Sequence, residues 1–209
     1  MELVDIGVNL GHRSFGDDRD AVVSRARAAG VRTLIITGTS LEGSRAAVAL
    51  ARAGGPGLYA TCGVHPHDAA RTDAHTLAEL AALCAAPEVV AIGECGLDYN
   101  RDFSPRPLQQ RWLGLQVELA LSRQLPLFLH ERDAHAEFVR TLDRYATGGR
   151  LAVPAVVHCF TGDAAALHAY LERGFYIGIT GWICDERRGG ELQRLVARIP
   201  LDRLLIETD

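Results

Sequence analysis

The sequence predicts an α/β fold, a closed (β/α)8 barrel, from three observations. Eight short runs rich in Val, Ile, Leu and aromatic residues recur along its 209 residues. Most are continuously apolar rather than alternating, as strands buried on both faces are. Stretches with helical spacing lie between them, and strict β-α alternation demands parallel strands joined by helical crossovers. Eight strands then favour closure over an open, doubly wound sheet.

Taken in order, the first run covers residues 3–8. A helical stretch follows at 18–29, where Ala21, Val22, Arg25, Ala26 and Ala29 keep an i, i+3/i+4 pattern. Runs at 33–37, 58–62 and 89–93 are followed by helices at 41–53, 76–85 and 107–123. Runs at 126–130, 153–158 and 175–179 are followed by helices at 134–146, 163–173 and 189–198, and the last run is 203–207. Gly54-Gly55-Pro56-Gly57 and Gly148-Gly149 mark boundaries. No repeat, linker or low-complexity tract interrupts this order, so residues 1–209 read as one domain. The final helix of a complete barrel is missing after the eighth run. The outer face between the last and first strands is therefore expected to be apolar and uncovered.

Composition narrows the chemistry. All 22 cationic side chains are arginine, because the sequence contains no lysine. That excludes Schiff bases, covalent pyridoxal attachment and a P-loop lysine. A net charge of −4 argues against a broad basic surface for nucleic acid but leaves room for a local, metal-focused site. The five cysteines are odd in number and lack C-x-x-C spacing, so neither a disulfide framework nor a structural zinc site is expected. With no signal peptide and no apolar stretch of about 18 residues, a cytoplasmic protein without membrane contact is expected. Nothing points to an obligate protein partner, and a monomer is the simplest expectation.

In such a barrel the side chains at the C-terminal ends of strands converge on one mouth. Those positions here are Asp5 and Asn9, then His65, His67 and Asp68, then Glu94 and Asp98. The later strands add His130, Glu131, Arg132, Asp133, His158, Trp182, Asp185, Glu186, Arg187, Glu207 and Asp209. Each alone has an ordinary structural reading: a core histidine, a partner for a barrel arginine, a helix cap. Together, Glu94, His130, His158 and Asp209 form a plausible divalent-metal shell with open positions for water and substrate. His65 and His67, on one face of an extended segment, reach the same mouth. Arg187 and Arg188 suit phosphate, and Trp182 and Tyr99 offer faces on which bases stack. Cys159, alternating with His158, is expected to point out of the barrel.

Several segments then become familiar together. Gly63-Val64-His65-Pro66-His67, the run from Ala91 to Tyr99, that from Phe128 to Asp133, that from Val157 to Gly162, and Leu205-Ile206-Glu207-Thr208-Asp209 resemble the TatD family of metal-dependent deoxyribonucleases. The opening Asp5–Leu10 segment and that from Gly178 to Arg188 resemble the family's namesake more closely than its other members. The likeness runs in order along essentially the whole chain. It implies a TIM barrel of the amidohydrolase type and hydrolysis of nucleic-acid phosphodiesters, with 3′-to-5′ exonuclease action on single-stranded DNA or RNA ends, in DNA repair or degradation. It also implies Mg²⁺, whereas imidazole and carboxylate ligands equally suit Mn²⁺ or Zn²⁺. The family ligands map onto Glu94, His130 and His158, with Asp209 as the strand-8 aspartate. Glu94 and Asp209 are the expected catalytic carboxylates; His65, His67, Arg187 and Arg188 are the expected substrate contacts. The common opening Asp-x-His-x-His is absent, because Gly7 and Asn9 stand at the two histidine positions. One tight metal, with at most a weak second, is the expectation. Two other readings stay open: amide or lactone hydrolysis on the same barrel, and a non-catalytic binding protein.

Overall fold

A computed structural model describes residues 1–187 and 189–209. Arg188, one of the expected phosphate contacts, lies outside the described residues. Eight strands, β1 (Leu3–Val8), β2 (Val31–Ile36), β3 (Leu58–Cys62), β4 (Val89–Asp98), β5 (Leu127–Arg132), β6 (Ala155–Val157), β7 (Tyr176–Ile179) and β8 (Leu204–Ile206), pair in parallel in sequence order. The barrel shuts through the residues after β8. Asp209 N–H donates to the Gly7 carbonyl (2.8 Å), and Thr208 Oγ1 donates to Asp5 (2.6 Å).

Helices α1 (Arg19–Ala28), α2 (Leu41–Gly54), α3 (Ala74–Leu83), α4 (Arg106–Arg123), α5 (His135–Asp143), α6 (Ala164–Glu172) and α7 (Gly189–Val196) form the outer ring. Their starts are chemically marked. Ser40 accepts from Gly43 N–H, Asp163 accepts from Ala166 N–H, and Asp73 and Thr76 form a reciprocal box. Ile36, Cys62, Ile92 and Leu129 of the strands pack with Val48, Leu80, Leu113 and Val117 of the helices, all buried. Inside the barrel, Ile6, Ala91 and Phe128 form a separate buried cluster. Phe128 stacks under His158 at 4.6 Å, so this plug is the floor on which the polar mouth rests.

One difference from the sequence reading bears on the site. β4 runs on to Asp98 rather than stopping at 93, because Cys95–Asp98 continue pairing with Leu129–Arg132 beyond an irregularity between Ile92 and Cys95. A glycine-containing segment that reads as loop is thereby strand. The expected uncovered face is present: Val4 of β1 and Ile206 of β8 are each 45% exposed. Among the described residues no helix is long and apolar enough to cross a membrane.

Candidate metal centre

Glu94 sits at the β4 irregularity and is fixed by its N–H, which donates to the Gly38 carbonyl at 2.7 Å. The preceding Gly93 has φ +139°, and a side chain there would run into the Phe128 carbonyl. The backbone can therefore bring this carboxylate inward only with glycine beside it. His130 lies on β5, and His158 follows β6, where its N–H donates to Leu129 (2.9 Å). His65 follows β3 and is held by its own N–H on the Thr39 carbonyl (2.8 Å). Buried glutamines of α4 pin the same loops: Gln116 bonds both N–H and C=O of Val64, and Gln109 bonds those of Asp98.

These elements bring three imidazoles to one carboxylate oxygen. Glu94 Oε1 lies 2.7 Å from His158 Nε2, 2.9 Å from His130 Nδ1 and 3.3 Å from His65 Nε2. Burial alone would raise the Glu94 carboxyl, but His158, His65 and His130 hold it well below the ordinary range. Burial would depress His158, yet Glu94 and Glu207 raise it well above the usual histidine value. His130 is likewise raised by Asp98 and Glu94 against burial, whereas burial wins at His65 and lowers it.

The outer ring nitrogens decide which imidazole can ligate. His158 Nδ1 faces Glu207 Oε2 at 3.4 Å, and His130 Nε2 faces Asp98 Oδ2 at 3.5 Å. Both nitrogens of each ring face a carboxylate, Glu94 the more closely, so both rings donate to Glu94. A cation taking the inner nitrogen would leave the proton on the outer one, held by Glu207 or Asp98. His65 is different. Its Nδ1 accepts from His67 N–H at 3.2 Å, so Nε2 carries the proton and is a donor. His65, Glu94 and His130 have ligand atoms all within 4.8 Å of one another, but the hydrogen bond to His65 Nδ1 opposes ligation through Nε2. Glu94 and the imidazoles around it fit a divalent cation by donor type, convergence and outer partners.

A cavity of about 470 Å³ opens above this cluster, lined also by Asn9, His67, Arg132, Trp182 and Asp209. Asp209 is exposed at the rim, where Asn9 Nδ2 donates to its Oδ1 at 3.3 Å. His67 bonds Asp98 Oδ2 at 2.7 Å. Arg187 is exposed outside the cavity lining, its N–H turned onto Asp185. Cys159 corrects one expectation. It lines the cavity rather than pointing out, because φ +44° breaks the strand alternation and turns its N–H onto Glu207 Oε1 (2.5 Å). Burial pushes its thiol up to about 12, so it is no nucleophile.

Sequence reasoning named Glu207, Asp98 and Arg132 at strand ends without giving them work. Glu207 is buried in a slot that Gly7 and Gly178 leave open, since a side chain at either would meet its carboxylate. The available signal was the rule that a ligating histidine usually carries an outer carboxylate; which carboxylate serves which histidine needs the barrel.

The profile of the family described as TatD related DNase matches residues 4–209. A curated protein of Cronobacter turicensis, named 3′-5′ ssDNA/RNA exonuclease TatD, is 51% identical over 99% of this chain and 77% of its own length. One of the same name from Salmonella typhimurium is 49% identical over 99% of this chain and 78% of its own. The crystal structure of a TatD homologue from Escherichia coli K12 superposes with a TM-score of 0.89 at 31% identity, over 99% of this chain and 78% of that one.

Proposed function

The chain belongs to the TatD related DNase family, and from that premise we propose that it is a metal-dependent nuclease trimming the 3′ ends of single-stranded DNA or RNA. The observation that carries the site is the convergence of His130, His158 and His65 on Glu94 Oε1 at the base of a cavity. Glu94, His130 and His158 would hold one divalent cation, with Mg²⁺ the proposed ion and Asp209 at its edge. When bound, such an ion polarises a phosphoryl oxygen and acidifies water.

The chain's own groups do the rest. Glu207 and Asp98 keep the His158 and His130 rings in the ligating tautomer. His65 Nε2–H is placed to donate to a phosphoryl oxygen as charge builds there, and His67 stands beside it, oriented by Asp98. Asp209 is the solvent-facing carboxylate that orients the attacking water and takes its proton. A cup closed below by Phe128 admits a chain end more readily than a continuous duplex. This gives end-directed cleavage without a broad basic surface.

The test is shortening of a 5′-labelled oligonucleotide in Mg²⁺, Mn²⁺ and Zn²⁺, with and without chelator, by wild type and Glu94→Gln. Stepwise loss from the 3′ end that chelator and the variant both abolish is expected. No chelator-sensitive shortening, or full activity in Glu94→Gln, overturns the reading.

A further inference from the structure

Arg132 ends β5 two residues beyond His130 and lies on the same face of the strand, about 6.6 Å further toward the mouth. It is half-buried, and its guanidinium has no ion pair or hydrogen bond among the described residues. Two other arginines near the mouth are paired: Arg71 with Asp68, and Arg106 with Asp102. A half-buried cation without a counter-ion costs stability unless an anion completes it. Arg132 lines the cavity above Glu94 and also a second one of about 300 Å³, reached past Thr161 and Trp182. Among the described residues it is the only arginine lining either cavity, and the second is otherwise rimmed by Glu131, Asp133 and Glu191.

We propose that Arg132 and the second cavity form a subsite for the nucleotide upstream of the cleaved bond, with the Arg132 guanidinium gripping that nucleotide's phosphodiester. The inference rests on the nuclease reading and adds to it which phosphate is held where. His130 belongs to the cluster that meets the scissile phosphate. A step of two strand residues matches the spacing of successive phosphates on an extended chain, so Arg132 meets the neighbour. Its planar fork suits two phosphate oxygens at once, which a lysine ammonium cannot reproduce. The surrounding carboxylates repel a phosphate placed anywhere else in that cavity, which fixes the register of the strand.

The experiment compares a dinucleotide, whose single phosphodiester is the scissile one, with a trinucleotide, which adds the upstream phosphodiester. Neither carries a terminal phosphate. Wild type is expected to show a kcat/KM advantage of about ten- to a hundredfold for the trinucleotide, the scale of a charge-assisted hydrogen bond. Arg132→Gln should erase most of that advantage, and Arg132→Lys should keep part of it. An advantage that survives in Arg132→Gln, an equal loss on both substrates, or no advantage in wild type overturns the subsite. If Arg132→Gln fails to fold, Arg132→Lys decides, because an undiminished advantage there removes the fork. A wild type that cleaves neither substrate overturns the nuclease reading and this subsite with it.

Discussion

Glu207 faces His158 across 3.4 Å, its Oε2 opposite ring Nδ1, with both atoms buried and neither hydrogen-bonded elsewhere among the described residues. The other carboxylate oxygen accepts the Cys159 N–H. With a cation on the far nitrogen, a charge in that position would hold the ring's remaining proton, so Glu207 would act through His158 rather than on substrate.

Glu207→Gln retains an acceptor for Cys159 but removes the charge facing the ring. Affinity for the divalent ion is expected to fall about 10–100-fold, the usual cost of losing an outer carboxylate partner. Calorimetric metal titration of both proteins, with thermal melts to confirm folding, checks it. Equal affinities would leave Glu207 as packing only.

Gly7 stands where the family's common opening has histidine, and here its lack of a side chain has a spatial cause. A Cβ at this position would lie 2.6 Å from Glu207 Oε2 and 2.9 Å from Phe128. Gly7→Ala should destabilise by about 1–3 kcal/mol through overpacking. Adding Glu207→Ala should make the pair less costly than the sum of the two single changes. Chemical denaturation of the four proteins measures this; strict additivity would mean that the two residues do not compete for the same space.

The strands and helices were legible because apolar runs and helical periods are local signals. Glu94, His130 and His158 were legible because polar residues directly after apolar runs have no local reason to be there. Two things were not. The extension of β4 to Asp98 depends on pairing with β5, and glycine-rich sequence carries no trace of it. The inward turn of Cys159 depends on Glu207, 48 residues away in sequence, accepting its N–H. Arg132 was visible as a residue. That it has no partner among the described residues is a fact about all of its neighbours there, and no sequence window contains them.

His65 and His158 both touch Glu94 Oε1, but their outer nitrogens differ: Nδ1 of His65 accepts a backbone N–H, whereas Nδ1 of His158 faces the Glu207 carboxylate. His158→Ala should abolish tight metal binding, because it removes a ligand. His65→Ala should keep metal affinity within about threefold while costing about a hundredfold in kcat, as for a lost transition-state donor. Metal titration paired with steady-state kinetics distinguishes them. Metal binding lost equally in both would make His65 a ligand and overturn the tautomer assignment.

Away from the site, Arg173 clasps Asp143 through two contacts, Nε to Oδ1 at 2.9 Å and Nη2 to Oδ2 at 2.8 Å, tying the end of α6 to the end of α5. The Arg173 guanidinium holds the Asp143 carboxyl below its ordinary value. A carboxyl depressed on folding contributes stability above its unfolded value, about 3.9, and loses that contribution as pH falls through the folded one. Asp143 is 42% exposed on its side chain, so solvent screens the pair and Asp143→Asn should cost only about 0.2–1 kcal/mol at neutral pH. Denaturation midpoints of wild type and variant should converge as pH falls below about 3.9, and also in about 1 M salt, where screening reaches about 3 Å. A difference that persists unchanged in acid would assign the effect to packing of the two helix ends instead of to charge.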